Sequence, residues 1–389
     1  MTPYARVSTG INGLDKILNY LQMGDNVVLQ VDNVEDYKKF VAPYVQEALA
    51  RNQRLVYMRF ANHPALLEAG PGIKIYQLNA NSGFESFSTE VHNIIRDEGR
   101  DVFYVFDCLS DLLQAWATDL MIGNFFVITC PYLFELNTVA YFAILRSRHS
   151  FKTVARIRET TQVLLDVYSH EGKICVHPLK AWKRYTPTMF LPHIMEEQAC
   201  VPILNSADAA SILSYLTDKN ATSGERNLDY WDRIFLKAGT LLGDPDAAPE
   251  KQDMVEILSR VMIGREKRIL SLVREYFELE DLVEIKKRLI GTGFIGGKSV
   301  GMLLARNILR KDPSFDWSAV MEIHDSFYVG SDIFYSYMVQ NGWWKLLMAQ
   351  KTDEGYFGVA RELKQKMLHG AFPDEIKEQF QLMLEYFGQ

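Results

Sequence analysis

An α/β fold is predicted for this 389-residue chain from three observations. Short apolar runs alternate with helical patterns through the first third of the chain, as they do where crossover helices cover a parallel sheet. The region from about 206 to 289 instead carries apolar residues at helical spacing. Near residue 291 a glycine-rich loop runs straight into another amphipathic helix.

Residues 26–31 read as a buried strand, as do 55–58, 102–106 and 125–128. Between them, 34–51, 84–98 and 137–147 carry the helical pattern. Then 161–168 and 173–177 flank His170-Glu171-Gly172 and read as a hairpin, with Gly172 supplying the turn. Asp244-Pro245-Asp246 breaks the helical middle. From 254 to 278, Val255, Leu258, Val261, Met262, Ile269, Leu272, Val273 and Tyr276 make an apolar stripe suited to packing against protein.

Hydrophobic residues are 48% and charged residues 23%, the balance of a globular protein. A net charge of -7 argues against a large nucleic-acid footprint. Cys108, Cys130, Cys175 and Cys200 form no C-x-x-C pair, so reduced thiols in a cytoplasmic protein are expected rather than a zinc site or disulfide framework. The first ten residues hold no signal-peptide core. The most apolar window, 121–134, is broken by Gly123, Asn124 and Pro131 and is too short to span a membrane. No H-x-x-x-H, H-E-x-x-H or G-x-S-x-G frame occurs. His63, beside Pro64, and His193, after Pro192, read as loop residues. Arg146, Arg148, His149, Lys152, Arg156 and Arg158 form a basic cluster, either a solvated face or a site for a phosphate-rich partner.

The run from Gly291 to Gly301 places five glycines around Lys298 where a helix begins. Glycine lets backbone approach a ligand closely. A helix start presents free N–H groups and a positive dipole end, which suit phosphate. A lysine there adds charge that an anion offsets. No G-x-x-x-x-G-K-[ST] frame fits, because Thr292 stands five before Gly297. The other reading is a glycine hinge with a solvent-facing lysine.

Gly296-Gly297-Lys298 is followed by Met302-Leu303-Leu304 and Ile308-Leu309, and then by Ser326-Phe327-Tyr328-Val329-Gly330-Ser331-Asp332. This last quarter of the chain resembles the opening of the ATP-grasp domain of pyruvate phosphate dikinase and phosphoenolpyruvate synthase. The resemblance implies an ATP site at Gly293, Gly296, Gly297, Lys298 and Ser299, with Mg as cofactor. It also implies pyruvate or a related acid as acceptor in the full-length enzyme. Ser299 is placed to cap the helix. The family's Val-Arg-Ser-Ser strand does not follow before Gln389, so a fragment that is inactive alone is expected.

The phrase Arg6-Val7-Ser8-Thr9-Gly10-Ile11-Asn12-Gly13-Leu14-Asp15, with Gly24-Asp25-Asn26-Val27-Val28-Leu29 after it, is similar to the start of a RecA-like or KaiC-like ATPase core. The phosphate loop expected next is absent from residues 31–39, which hold no glycine. Asp32, Glu35 and Asp36 would repel a triphosphate, and Lys38 and Lys39 lack a frame to aim them. Ala61-Asn62 stands where the family's glutamate pair belongs. Asp107 ends its strand where a Walker-B carboxylate would, or serves as a turn or cap residue. The expected organisation is a degenerate RecA-like domain at 1–195, a helical linker at 196–288 and a partial ATP-grasp segment at 289–389. Two functions stay open. One is the ATP-binding front portion of a dikinase-like or synthase-like phosphotransferase. The other is a regulatory or protein-partner-binding module on an inactive RecA-like fold.

Overall fold

The structure is a computed structural model that describes residues 5–116, 118–170, 172–219, 228–322, 325–352 and 354–388. Two units form: Met1–Ala115 with Ile122–Asp229, and Trp116–Met121 with Tyr230–Gln389.

In the first unit, β1 (Arg6–Val7) pairs antiparallel with β2 (Leu21–Gln22), and α1 (Asn12–Leu18) lies between them in sequence. Next come β3 (Asn26–Val31), α2 (Val34–Ala50), β4 (Leu55–Arg59), β5 (Ile73–Gln77) and α3 (Phe84–Glu98). β6 (Phe103–Cys108), α4 (Leu113–Trp116), α5 (Asp119–Glu135), β7 (Val139–Leu145) and α6 (Phe151–Thr160) follow. The chain then forms β8 (Val163–His170), β9 (Lys173–Ala181), β10 (His193–Glu196), β11 (Ala199–Pro202) and α7 (Ser206–Lys219). The sheet order is β11-β10-β9-β8-β3-β7-β6-β4-β5. From β8 to β5 the strands run parallel, and β9, β10 and β11 extend the sheet antiparallel. An α/β architecture is therefore shown.

The middle strands read as unbroken apolar runs because both of their faces are covered. Successive side chains point to opposite faces. Val27, Leu29 and Val31 of β3 share a core with Tyr37, Phe40, Val41 and Tyr44 of α2. On the other parity, Phe106 and Phe142 meet Phe125 and Phe126 of α5.

Two expectations are corrected here. Residues 125–128, expected as a strand, lie within α5, and 137–147, expected as a helix, contain β7. Both segments are buried nearly all round: Phe125, Phe126, Cys130 and Leu133 in one, Val139 to Ile144 in the other. Without a polar face neither carries a period that tells helix from strand. Pro131 is accommodated inside α5. The expected hairpin is present as β8–β9, with Gly172 at φ 76°, and Glu171 lies outside the described residues.

The opening phrase is structural at each of its special positions. Asp15 is buried and accepts bonds from the Ser8 and Thr9 hydroxyls and the Thr9 amide, at 2.5, 2.8 and 2.7 Å. Gly10 adopts φ 78°, and a Cβ there would sit 2.2 Å from the Pro43 carbonyl oxygen of α2.

The second unit is mostly helical: α8 (Tyr230–Leu242), α9 (Ala248–Met262), α10 (Lys267–Tyr276) and α11 (Leu279–Lys287), then α12 (Gly297–Lys311). After α12 come α13 (Ser331–Gln340), α14 (Trp344–Gln350), α15 (Gly355–Met367) and α16 (Asp374–Gly388). Two short parallel strands, β12 (Leu289–Ile290) and β13 (Tyr328–Val329), lead into α12 and α13. The apolar stripe predicted at 254–278 divides between α9 and α10, and its members Val255, Leu258, Val261, Met262 and Val273 enter the unit's core. Among the described residues, no helix is long and apolar enough to cross a membrane.

Candidate functional site

The glycine run forms a tightly tied loop ahead of α12. The Gly291 amide donates to the Gln379 side chain of α16 at 2.7 Å, and the Ile295 amide to the Met262 carbonyl of α9 at 2.8 Å. The Thr292 hydroxyl donates to Asp332 at 2.9 Å, and the Phe294 amide to the Ser331 hydroxyl at 3.0 Å. Gly293 is required by this packing. Its φ is 87°, and a Cβ would lie 2.6 Å from the Ser331 hydroxyl oxygen.

Gly296 and Gly297 differ in kind. Both are exposed, and nothing lies within 4 Å of the Cβ either lacks. Gly296 is the N-cap of α12, so the expectation that Ser299 caps this helix is corrected: no side chain caps it, and Ser299 sits at the third helical position. The first helical bond closes from the Val300 amide to the Gly296 carbonyl, at 3.0 Å. Among the described residues no hydrogen bond engages the amides of Gly297, Lys298 and Ser299, which are donors a helix start leaves open. Lys298 is exposed, without an ion-pair partner among the described residues. At the second helical position its charge opposes the dipole by about 0.3–1 kcal/mol. The helix is held from its other side, where Val300, Leu303 and Leu304 are buried, worth roughly 1.5–3 kcal/mol each. Arg265 lies 5.2 Å over the Phe294 ring, and burial lowers its pKa against the opposing field of Asp332. Of the five residues expected to form a site, Gly293 is packed inward, Gly296, Gly297 and Lys298 are exposed, and Ser299 is half-buried.

The carboxyl ends of the parallel strands in the first unit are occupied by the chain itself. The Asp107 side chain is fully buried. It accepts from the Tyr57 hydroxyl, the Arg59 guanidinium and the amides of Phe60 and Ala61, the last two at 2.8 Å. The His63 Nδ1 lies 2.7 Å from the Pro64 carbonyl, and its Nε2 accepts from the Cys108 amide at 3.2 Å. That pattern makes His63 the neutral Nδ1–H tautomer, so its 3.7 Å approach to Asp107 is no ion pair. Ala61, at the place of the expected glutamate pair, supplies only its amide. Of the two readings of Asp107, the geometry matches a residue that ties strand ends together.

After β3, Asn33 caps α2 by accepting the Asp36 amide at 2.9 Å. Asp32 is held by Arg146 at 2.7 Å, and the same guanidinium pairs with Asp166 at 2.6 Å. Burial disfavours the Arg146 charge, but Asp166 and Asp32 more than restore it, and its pKa is raised. The basic cluster read from the sequence therefore does not act as one patch. Arg146 is committed to two carboxylates, the His149 Nε2 meets the Ser110 hydroxyl at 2.7 Å, and Arg158 donates to the Leu179 carbonyl. Sequence reasoning missed Tyr57 and Arg59. The available signal was their spacing of two along β4, which puts both on one face.

No family model matches this chain, and no curated protein matches it either. Among the described residues no group of three or more His, Cys, Asp or Glu side chains is arranged to hold a metal ion.

Proposed function

We propose that the second unit binds the phosphates of ATP at the start of α12. On this reading the chain is the ATP-binding front portion of a pyruvate phosphate dikinase-like or phosphoenolpyruvate synthase-like phosphotransferase. The observation that carries the reading is the uncapped run Gly296 to Ser299, exposed through Lys298, with open amides beside the Lys298 ammonium on a tied loop. Open amides and a positive dipole end select an anion. Lys298 neutralises triphosphate charge, and Gly296 and Gly297 leave room for phosphate oxygens to reach the backbone. Positioning and charge neutralisation are the main demands of phosphoryl transfer. Pyruvate or a related acid is the acceptor proposed for the full-length enzyme. The carboxylate nearest the loop, Asp332, is engaged by Thr292, so no residue of this chain is assigned to Mg.

The first unit is proposed as a RecA-like fold that docks a protein partner or senses a ligand without hydrolysing ATP, in the cytoplasm. The saturated Asp107 and the glycine-free loop after β3 favour this second role.

The test is calorimetry of the full chain with ATP and Mg. Lys298→Ala removes one charge-assisted contact, worth roughly 1.5–3 kcal/mol, so affinity should fall about ten- to hundredfold. Melting temperature should hold, because the lysine is exposed and has no hydrogen-bond or ion-pair partner among the described residues. Unchanged ATP affinity in that variant defeats the assignment.

A further inference from the structure

We propose a second anion site in the second unit, in the groove between α9 and α10, that takes a small phosphate monoester. It shares no residue with the α12 loop, and nothing in the preceding reading requires it.

The groove encloses about 210 Å³ over an apolar floor of Val255 and Leu270. Its walls carry Arg260, Lys267, Ser271 and Arg274, with one acid, Glu256. Lys267, Ser271 and Arg274 fall at i, i+4 and i+7 on one face of α10, and Glu256 and Arg260 at i and i+4 on α9. One oxygen of Glu256 accepts from Arg260 and the other from Arg274. A single carboxylate thereby holds one guanidinium of its own helix and one across the groove, each through only one of its nitrogens. The remaining N–H groups stay available, and among the described residues neither the Lys267 ammonium nor the Ser271 hydroxyl has a partner. Three cations face one acid, so two positive charges go uncompensated.

Stability does not account for the arrangement. The Arg260 and Arg274 side chains are 61% and 59% exposed, and pairs that exposed contribute about 1 kcal/mol or less. Their exposure also leaves the groove open to a ligand from solvent. A phosphate monoester matches the site in charge and shape. As a dianion it offsets both free charges, and its oxygens accept from several directions at once, where forked guanidinium donors are strong. A monocarboxylate supplies one charge in one plane. The volume lies below the roughly 300–1,000 Å³ of pockets for larger ligands, so the ester is smaller than a nucleotide.

The experiment titrates inorganic phosphate, then glycerol 3-phosphate, into the Lys298→Ala variant of the 389-residue chain by calorimetry at constant ionic strength. That background separates the groove from the α12 loop. Both ligands should bind, and adding Lys267→Gln and Arg274→Gln should weaken both at least tenfold without moving the melting temperature. Lys267→Gln alone should weaken binding too, and it breaks no internal contact because Lys267 has no partner to lose. Acetate at the same concentration should not displace phosphate. Absent phosphate binding in the Lys298→Ala background, binding indifferent to Lys267 and Arg274, or equal binding of acetate would each overturn the proposal. None of those outcomes bears on ATP at α12, which is judged by ATP affinity in Lys298→Ala against the unaltered chain.

Discussion

The Tyr57 hydroxyl donates to Asp107 and also accepts the Leu66 amide at 3.0 Å. One phenol therefore links β4, the end of β6 and the segment after β4. Burial raises its pKa well above the ordinary tyrosine value, and the bond to Asp107 adds to that rise. The arrangement works as a tie: Asp107 is the acceptor for the Tyr57 hydroxyl and for the buried amides of Phe60 and Ala61, and it also holds the Arg59 guanidinium.

Replacing Asp107 should therefore cost stability rather than nucleotide affinity. Asp107→Ala strips the acceptor from Arg59, Tyr57 and two buried amides, and about 3–5 kcal/mol should be lost. Tyr57→Phe removes the bond to the charged Asp107 and the acceptor of the Leu66 amide, and should cost at least roughly 1.5–3 kcal/mol. Urea unfolding followed by fluorescence measures both. Loss of ATP affinity at unchanged stability in Asp107→Ala would show that the carboxylate serves a nucleotide instead.

The loop after β3 should be silent toward ATP. Lys39 pairs with Asp36 at 3.0 Å, and Asp32 is held by Arg146. Changing Lys38 and Lys39 together to alanine should leave the ATP affinity of the full chain within twofold. A drop matching that of Lys298→Ala would move the nucleotide to the first unit.

Two glycines four residues apart should behave oppositely. Gly293→Ala places a Cβ against Ser331 and Asp332 at a positive φ, where an L side chain costs roughly 1–2 kcal/mol before any clash. Gly297→Ala enters open space at the first helical position, where alanine is the better helix former by up to about 1 kcal/mol. Urea midpoints should fall for the first and hold or rise for the second. ATP affinity should fall for Gly297→Ala if phosphate oxygens approach that backbone.

Acid should weaken the first unit through His193. This residue is fully buried at the start of β10. Burial lowers its pKa below the usual 6.5, a hydrogen bond with the Leu191 backbone offsets part of that, and the neighbouring His177 adds to the lowering. With the folded pKa depressed, the unfolded chain binds the proton first. The stabilising share of neutral His193 is thus present above about pH 6.5 and drains as pH falls toward the folded pKa. The urea midpoint should drop between pH 7 and pH 5, and His193→Leu should flatten that drop. An unchanged profile in the variant would assign the acid response to other groups.

Sequence alone read helices with one wet side and the short, buried run of β3. The strand Asn26–Val31 and the helix Phe84–Glu98 stand at their expected bounds, and α2 ends one residue early. The exchange of identity between α5 and β7 has one cause: each is enclosed, so polarity leaves no periodic trace. His193 was expected in a loop beside Pro192 and instead enters an added strand that nothing local announced. The start of α12 was legible because glycine and lysine act there over a few consecutive residues.

What the sequence determined by itself is local: where backbone must turn sharply, which strands lie buried, and where open amides meet a lysine. These follow from conformational freedom and the spacing of apolar residues, which operate within one or two turns of chain. What only the tertiary structure decided is which polar groups already have partners. Asp107 meets Tyr57 and Arg59 across 50 and 48 residues of chain, and Arg146 meets Asp32 across 114. A carboxylate at a strand end looks the same in sequence whether it awaits a metal or is already saturated. The difference lies in donors brought to it by pairing between distant strands, because hydrogen bonds act over about 3 Å in space and not along the chain.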